Sequence, residues 1–569
     1  MNNKKIVAGL MALTLVFGGT VLPNTAVSST ASVITAQAYD LESECYSFDL
    51  DTGVLTLRGE VDADALRELG VGPIVSSVVA EEGTVFPEDC RDLFKDYFNC
   101  TSIDLSKADT SNVTDMSFMF SRCYKLTSLD LRSFDTSNVT NMREMFSSCS
   151  NLTSIDLGNF VTNNVRNMME MFDGCSSLTT LDLSSFDTGN VTSLSAMFDG
   201  CGALTSVDIS SFDTSNVTNM TYMFSRCRDL TSLDVSSFDT SNVTEMDAMF
   251  SNCSGLTYID LSNFETSKVT DMSGMFRGCG NLTTLDLSSF DTSKVTDMSG
   301  MFWDCLKLTS LDVSGFDTSK VTDIGYMFDG CYGLISLDVS GFDTSNVTDM
   351  RSMFSHCENL TSLDLSSFDT SNVENMYSMF DSCKNLTVLD LSSFDTSKVI
   401  ESERFNSGMN EMFRDCENLR IITLGENFKS IKLNAHLPNG DGWMNVNDLS
   451  TIVTDGEYSF LYAVIENEGN NTYVRYFRYT PTNINVEYSE KYHQVRFTWD
   501  KVEKAEQYGV AVYLAGKWRV QAQNITDTTY TTPKNLTPGK TYKVAIAAKV
   551  DGKWYTSSAI ENAVTVTVK

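Results

Sequence analysis

The chain has 569 residues and a formal net charge of −34, because 75 Asp and Glu residues outnumber 41 Lys and Arg residues. This length allows two or more domains. A chain this acidic repels phosphate and has no basic stripe, which argues against nucleic acid as a partner and favours cations, basic proteins or high solubility.

The first residues have the pattern of a secretory signal peptide. Lys4 and Lys5 precede an apolar run over residues 6–22, and a stretch rich in Ser, Thr and Ala ends at Ala38. We therefore expect residues 1–38 to be removed by cleavage after Ala38, and the protein to be secreted or located at the cell surface. The alternative is an uncleaved anchor helix, for which the apolar run is short.

Residues 39–92 precede the repeats and have their own pattern. Strand-forming residues from Tyr46 to Leu57 surround Asp51-Thr52-Gly53, which predicts a β-hairpin. Solenoid ends need atypical units that cover the exposed core, so we interpret residues 39–92 as an N-terminal cap.

A strict repeat follows. Cysteine recurs every 26 residues from Cys123 to Cys383 with no insertion or deletion, and a fixed period of this size is typical of a solenoid. In the unit that begins at Cys123, Leu129 and Leu131 flank Asp130. This alternation predicts a short strand whose aspartate points away from the core.

The second half of each unit has a different apolar spacing. Val139, Met142, Met145 and Phe146 are three, three and one residues apart, which predicts one or two helical turns with Thr140 as the N-cap. We therefore expect a short strand plus a short helix in each 26-residue coil. Because a single coil buries too little apolar surface to fold alone, stability should come from stacking.

The repeat resembles that of BspA-type bacterial leucine-rich-repeat surface proteins. The string from Met223 to Val235, Met-Phe-Ser-Arg-Cys-Arg-Asp-Leu-Thr-Ser-Leu-Asp-Val, carries the resemblance, which covers residues 93–424. It implies a solenoid of the leucine-rich-repeat type on a bacterial surface, with a role in adhesion and partner binding. It implies no particular ligand.

The register changes at the end of the array. Cys383 and Cys416 are 33 residues apart because residues 400–408 add seven. Residues 425–480 lack the period but are rich in strand formers. We expect them to cap the solenoid, and the alternative is a separate small β domain.

Alternating strands return in residues 481–569. This segment resembles a fibronectin type III domain: Trp499 matches the core tryptophan of its second strand, and residues 536–542 match the turn and tyrosine that open the sixth strand. The resemblance implies a β-sandwich that serves as a spacer or a protein-binding module.

One aspartate of each repeat falls in the predicted strand, and we name this set the aspartate column. Stacked parallel strands would bring these carboxylates to about 4.8 Å from one another on the face opposite the core. One interpretation is a solvated row whose charge is satisfied by nearby hydroxyls. The other is a surface that binds either hard cations such as calcium or a basic partner. The column consists of Asp104, Asp130, Asp156, Asp182, Asp208, Asp234, Asp260, Asp286, Asp312, Asp338, Asp364 and Asp390.

Catalytic patterns are missing from the sequence. The three histidines, His356, His436 and His493, lie in different parts of the chain, and no zinc-ligand spacing, phosphate loop or nucleophile elbow is present. An acid and a nucleophile need distinct environments, which equivalent aspartates do not provide. We therefore expect no enzymatic activity and no cofactor, and calcium stays open as one alternative for the aspartate column.

Eleven of the 15 cysteines belong to the repeat column. Side chains stacked in register point the same way, which disfavours disulfides between neighbours and predicts buried free thiols. Cys45, Cys90 and Cys100 lie outside the column, and Cys90 with Cys100 is the pair we expect to form a disulfide if any does.

The sequence thus favours a secreted or surface-associated bacterial binding or adhesion protein without catalytic activity. Its solenoid would present a repetitive acidic face to an extracellular protein or glycan. A structural component of the cell envelope without a specific ligand is the alternative, and a surface enzyme is the third.

Overall fold

The computed structural model describes residues 41–400, 407–440, 442–453, 462–476, 479–534, 536–550 and 552–569. The expected signal peptide and its cleavage site lie outside these residues. The chain divides into two compact units, one formed by the residues up to 323 with Gly330–Gly333, the other by Ile324–Asp329 and Leu334–Lys569. No helix in the described part of the chain is long and apolar enough to cross a membrane.

The first unit begins with the predicted hairpin. Strands β1, β2 and β3 are antiparallel, and Gly53 adopts a φ of 70° in the turn between β2 and β3. A short helix, α1, follows, with the Asp62 side chain accepting a hydrogen bond from the Ala65 N–H at 3.0 Å. A 3-10 turn then leads to β4 and β5. The bounds are Leu41–Glu42 (β1), Tyr46–Asp49 (β2), Val54–Leu57 (β3), Ala63–Leu69 (α1), Gly72–Ile74 (3-10), Ser77–Ala80 (β4) and Thr84–Val85 (β5).

The hairpin and the first coils form one continuous sheet. Strand β3 pairs in parallel with β4, β4 with β6, and β6 with β8, so Asp104 lies beside Asp130. Further along, β9 and β10 pair in the same register, with Asp182 beside Asp208. The parallel register that the sequence predicts is therefore confirmed. These strands are Ser102–Asp104 (β6), Ala108–Asp109 (β7), Ser128–Asp130 (β8), Thr180–Asp182 (β9) and Ser206–Asp208 (β10).

The predicted helix in each coil is wrong. The N–H groups of Phe118, Phe120 and Arg122 donate to carbonyls of the next coil at 2.7 to 2.9 Å, while those of Met119 and Ser121 close local three-residue turns. Phe118 and Arg122 have φ values of 58° and 62°, outside the helical region. The apolar spacing that predicted a helix therefore arises from turns whose N–H groups bond alternately within a coil and to the next coil. Thr140 accordingly caps no helix, and its N–H and hydroxyl donate to the carbonyl of Thr114 in the preceding coil.

The core of the first unit consists of identical columns of apolar residues. The phenylalanine that precedes each column cysteine by three residues stacks on its equivalents in neighbouring coils, with ring centroids 5.3 to 6.0 Å apart. These rings are buried, as are the adjacent methionines and cysteines. Each coil thus borrows part of its core from the coils on either side, as the repeat predicts.

In the second unit the last coils lead into a mixed sheet. Strand β11 pairs in parallel with β12, placing Asp390 beside Thr423, and β12 pairs antiparallel with β17. Strand β17 pairs with β14, and β14 with β15. Residues beyond 425 thus extend the sheet of the last coils. The bounds are Val388–Leu391 (β11), Ile421–Leu424 (β12), Ser430–Ile431 (β13), Leu433–Ala435 (3-10), Trp443–Asn445 (β14), Asp448–Val453 (β15), Ile465–Glu466 (β16) and Asn471–Arg475 (β17).

The C-terminal residues form the predicted β-sandwich. One sheet contains β18, β19 and β22, and the other contains β20, β21, β23, β24 and β25 with helix α2 against β23. Trp499 is 5% exposed in the core between the sheets and meets Tyr508 edge to face. The bounds are Asn485–Ser489 (β18), Gln494–Thr498 (β19), Ala505–Leu514 (β20), Lys517–Ile525 (β21), Thr529–Thr531 (β22), Thr541–Val550 (β23), Lys553–Trp554 (β24), Thr556–Glu561 (α2) and Val564–Thr567 (β25).

Candidate binding face

Each coil presents two exposed side chains from its strand. In the coil from Cys123, Leu129 is 7% exposed in the core, whereas Ser128 and Asp130 on either side of it project outward. The other coils, several of which have no assigned strand at this point, expose the same two positions on either side of a buried or half-buried apolar residue. The strand position two residues before the aspartate is Ser or Thr in most coils, so hydroxyls and carboxylates form two parallel columns.

We name these two columns the Ser/Thr–Asp face. Its aspartates are exposed in the first unit from Asp104 to Asp312, with Asp130 half-exposed, and in the second unit from Asp338 to Asp390. All the aspartates predicted from the sequence therefore belong to it. The companion column is Ser102, Ser128, Ser154, Thr180, Ser206, Ser232, Tyr258, Thr284, Ser310, Ser336, Ser362 and Val388.

Each carboxylate of the aspartate column closes a turn in its own coil. Oδ1 of Asp234 accepts the backbone N–H of Ser236 at 3.0 Å, and Asp260 and Asp286 do the same with the serine two residues on. The remaining members accept in the same way, at 2.9 to 3.1 Å. The serine hydroxyl also donates to several of them, for example Ser210 to Asp208 at 2.7 Å. Hydroxyls thus share the negative charge, as one of the two sequence interpretations requires.

These hydrogen bonds lower the pKa of several of the carboxyl groups. The pKa of Asp234 is lowered by the side-chain and backbone hydrogen bonds from Ser236. The hydrogen bonds from Ser262 lower the pKa of Asp260, although the charges of Asp286 and Asp234 oppose this shift. The hydrogen bonds from Ser288 likewise lower the pKa of Asp286 against the opposing charge of Asp312. Arg132 holds the pKa of Asp130 at about 2, chiefly through its side-chain hydrogen bonds, at 3.0 Å from Nε and 2.7 Å from Nη2. The members whose pKa is lowered are therefore ionised at neutral pH.

Cations are scarce along the middle of the face. Among the described residues, Asp234, Asp260 and Asp286 form no ion pair within 4 Å. The described residues also contain no group of three or more His, Cys, Asp or Glu side chains arranged to hold a metal ion. The calcium interpretation of the aspartate column thus has no preformed cage to support it, since calcium takes six to eight oxygen ligands.

An exposed aromatic residue interrupts the hydroxyl column. Tyr258 is 60% exposed and occupies the position that is Ser or Thr in the adjacent coils, at Ser232 and Thr284. Its ring projects on the same side as Asp260, because the two exposed residues flank the buried Ile259. The sequence contained this signal, since tyrosine at this point of the repeat occurs in this one unit.

A buried threonine column was not recognised from the sequence. Thr214 is 0% exposed, and its hydroxyl accepts from the N–H and donates to the carbonyl of Asp239 in the next coil, at 2.8 and 2.9 Å. Thr240 and Thr292 make the same pair of bonds. The signal was the threonine that recurs in every unit, in most of them within a Phe-Asp-Thr triplet.

The cysteine column consists of buried free thiols, as predicted. Each Sγ donates to the carbonyl of the phenylalanine 29 residues earlier, as Cys201 does to Phe172 at 3.2 Å. Burial raises the pKa of these thiols well above the ordinary range. The expected bridge between Cys90 and Cys100 is absent: both are buried thiols that donate to different carbonyls, and burial raises their pKa values to about 12 and about 11.

A partly buried acidic cluster lies on the turn side of the first unit. Arg226 donates to both carboxylate oxygens of Asp199, from Nε at 2.8 Å and from Nη2 at 2.5 Å. Burial, and then the charge of Asp199, raise the pKa of Asp173 one coil earlier. Burial also raises the pKa of Glu170. Sequence reasoning missed this cluster because these positions vary from coil to coil.

The three histidines remain apart. In the second unit, His356 Nδ1 lies 3.4 Å from an oxygen of Asp329. The His436 ring stacks on Tyr462 at 4.3 Å, and His493 lies beside the carbonyl of Lys569. None of them contacts another histidine or a cysteine in these interactions.

Coils whose strands and turns pair in register, one 26-residue repeat after another, define a β-solenoid repeat protein. The model of the family described as "Mycoplasma protein of unknown function, DUF285" matches residues 88–206, 179–258, 253–335 and 333–431. Because these matches together span more than half of the chain, the protein belongs to this family.

Two solved structures are similar to a small part of the chain. "The crystal structure of a Fn3-like protein from Clostridium thermocellum" has 25% identity and a TM-score of 0.12, and covers 13% of this chain and 79% of that chain. "Crystal Structure of FN3tt" has 22% identity and a TM-score of 0.13, with coverages of 15% and 86%. No curated protein matches the chain.

Proposed function

We propose that the chain is a secreted, surface-associated bacterial binding protein of the BspA type that acts without catalysis. In this proposal the Ser/Thr–Asp face contacts an extracellular protein or glycan, and the fibronectin type III-like sandwich acts as a spacer. The observation that carries the proposal is the face itself, where exposed hydroxyls and ionised carboxylates repeat at the spacing of adjacent strands.

The geometry of the face suits an extended or repetitive partner. Neighbouring coils place equivalent groups about 4.8 Å apart, so a partner with regularly spaced donors meets the same contacts several times. Many weak polar contacts made together give an affinity that no single contact provides. A glycan or a basic protein segment has donors of this kind.

The similarity of the aspartates supports a non-catalytic role. Asp234, Asp260 and Asp286 each close the same turn, and their pKa values are shifted in the same direction. Two-carboxylate catalysis needs one group to keep its proton and the other to lose it. Groups in equivalent environments do not divide these roles.

Capture from surface extracts tests the proposal. The chain without residues 1–38 is immobilised and exposed to extracts of host-cell surfaces and of bacterial envelopes, and to a glycan panel. We expect a specific partner to be retained, and a triple variant with Asp234, Asp260 and Asp286 changed to Asn to retain at least about tenfold less.

A matched control removes the same charge elsewhere. Asp213, Asp239 and Asp291 close similar turns at another corner of the coil and also have lowered pKa values. Changing these three to Asn should leave capture intact. Capture of the chain's own envelope alone would favour a structural component, and equal loss in both triple variants would refute a specific face.

A further inference from the structure

The outer surface of the sandwich carries an apolar groove that the spacer role leaves unused. Its floor is Gly509, Ala511, Ala545 and Ala547, from the central strands β20 and β23. Trp518 and Val520 of β21 lie on one side, and Trp554, Ala559 and Ile560 line the other. The groove has a volume of about 330 Å³, and Val520 is 58% exposed.

The residues of the floor are small where a core-facing strand would carry larger side chains. Gly509 leaves room for the Trp554 ring, since a Cβ at position 509 would lie 3.2 Å from that ring. Small residues flanked by two tryptophans give a depression wide enough for an aromatic side chain. Tryptophan and tyrosine are the residue types that dominate binding energy at protein interfaces.

Lysines mark the two ends of this groove. Lys543 and Lys549 lie on strand β23 at the same strand parity as Ala545 and Ala547, so they share the outer face. Lys543 is exposed, and Lys549 lies 4.0 Å from Glu506 at the opposite end. Six residues of strand place the two lysine positions about 20 Å apart.

The sandwich has the opposite charge from the rest of the chain. Residues 481–569 contain twelve Lys and Arg residues against eight Asp and Glu residues, a formal charge of +4. The remaining chain contains 29 basic against 67 acidic residues, a formal charge of −38. An acidic surface that carries an exposed aromatic side chain therefore matches this apolar groove and the two lysines at its ends.

The Ser/Thr–Asp face has such a feature at Tyr258. Its ring is 60% exposed, and the aspartate column continues on both sides of it. Asp208 and Asp312 lie two coils before and two coils after Asp260, and four strand spacings place them about 19 Å apart. This separation is close to that of the two lysines at the ends of the groove.

We propose that the groove of one copy receives Tyr258 of a second copy, with Lys543 and Lys549 facing Asp208 and Asp312 of that copy. The proposal rests on the proposed function, because it names a second copy as one partner of the same face. The two surfaces differ, so the contact is heterologous and joins copies head to tail.

Sedimentation of the purified chain across a concentration series tests this contact. We expect concentration-dependent self-association at low salt that weakens at high salt, because charge attraction is screened. Tyr258→Ser, and separately Trp518→Ser with Val520→Ser, should weaken it by at least about tenfold. Tyr222→Ser, at a 44% exposed tyrosine on the turn side, and Tyr492→Ser, at a 40% exposed tyrosine of the sandwich, should not.

Charge exchange makes the test specific. Changing Lys543 and Lys549 to Glu should abolish self-association, whereas the same change at Lys501 and Lys504 should not. Mixing the Lys543→Glu, Lys549→Glu variant with a Ser206→Lys, Ser310→Lys variant should restore association in part, because each new lysine gives a glutamate a partner beside the aspartate that remains. The serine positions are exposed and leave the aspartate turns intact.

Three results would overturn the contact. The first is a chain that remains monomeric at low salt, and the second is self-association that these variants leave unchanged. The third is that the groove variants lose binding to a glycan or a proline-rich peptide instead of losing self-association. Failure here is separate from failure of the proposed function. The groove variants should still capture the surface partner, whereas the Asp234, Asp260 and Asp286 variant should not.

Discussion

Thr214 links two coils through one buried hydroxyl, which pairs with both the N–H and the carbonyl of Asp239. Thr214→Val removes these bonds and leaves a buried N–H without its acceptor, which we expect to destabilise the protein by roughly 1–3 kcal/mol. Thr214→Ser keeps the hydroxyl and is the control. Urea unfolding followed by circular dichroism measures both, and equal stability of the two variants would contradict the role of the hydroxyl.

The buried thiols give a second prediction at the scale of single residues. Burial raises the pKa of Cys279 to about 12, so almost none of it is thiolate at neutral pH. We expect the native chain to resist thiol-alkylating reagents and to react fully once unfolded. Ser232→Cys adds an exposed thiol as a reactive reference. Mass spectrometry that finds a disulfide between column members, such as Cys253 and Cys279, would contradict this prediction.

Within one coil, the turns depend on residues that adopt positive φ. Gly274 has a φ of 59°, and a Cβ there would lie 3.8 Å from the nearest atom, which is ordinary contact. Any free-energy cost of a side chain at position 274 therefore comes from the positive φ and not from a steric clash. Gly274→Val should destabilise by roughly 1–2 kcal/mol, and Gly274→Asn by much less, because Asn tolerates this region. Thermal unfolding compares the two variants, and a valine variant as stable as the asparagine variant would refute the argument.

Between coils, the phenylalanine stack transmits the effect of a core mutation. Phe276 lies 5.8 Å from Phe250 and 6.0 Å from Phe302, centroid to centroid. Phe276→Leu should therefore increase hydrogen exchange in the coils on both sides as well as its own. Tyr124→Leu, at a 41% exposed ring, is the control. Exchange that increases in the mutated coil alone would show that the coils unfold independently.

The strands and turns differ in how far the sequence predicts them. Leu129 and Leu131 around Asp130 have a period of two, which only a strand satisfies, and the register followed because no unit gains or loses a residue. The spacing of Met142, Met145 and Phe146 fits a helix as well as it fits a turn that stacks on the turns of neighbouring coils. Only the inter-coil hydrogen bonds distinguish them, and these connect residues 25 to 27 positions apart, beyond the reach of local pattern.

More of the candidate face than of the residues around it could be predicted from the sequence. The position of every aspartate followed from the repeat, whereas the sharing of charge with hydroxyls was one of the alternatives that the sequence left open. The threonine column was missed because a buried polar residue has no apolar period to reveal it. The acidic cluster of Asp173, Asp199 and Arg226 was missed because it forms from residues that differ between coils. A repeat pattern therefore predicts the features that all coils share, but not those of a single coil.

For the whole molecule, acid should have two opposing effects. Protonation relieves the repulsion within a chain of net charge −34, which would increase stability. It also removes the charged acceptors of the aspartate turns. Burial raises the pKa values of Asp173 and Glu170, so these groups add stability as the pH falls through their folded pKa values.

The pKa shifts of the aspartate column decide the balance. In the folded state the pKa values of Asp234, Asp260 and Asp286 are lowered, chiefly by hydrogen bonds from the serine two residues on, although neighbouring carboxylates oppose the shift at Asp260 and Asp286. The stability that each contributes is present above the unfolded pKa of about 3.9 and is lost as the pH falls below it. Most other members of the column share this direction of shift.

We therefore expect the melting temperature to change little between pH 7 and about pH 5 and to fall steeply below about pH 4. Changing Asp234, Asp260 and Asp286 together to Asn should make this fall shallower, because an amide oxygen still accepts the turn hydrogen bond but does not titrate. Circular dichroism melts across this pH range measure both chains. A melting temperature that rises steadily with acid would mean that relief of charge repulsion outweighs the turn hydrogen bonds, and that the aspartate column does not stabilise the solenoid.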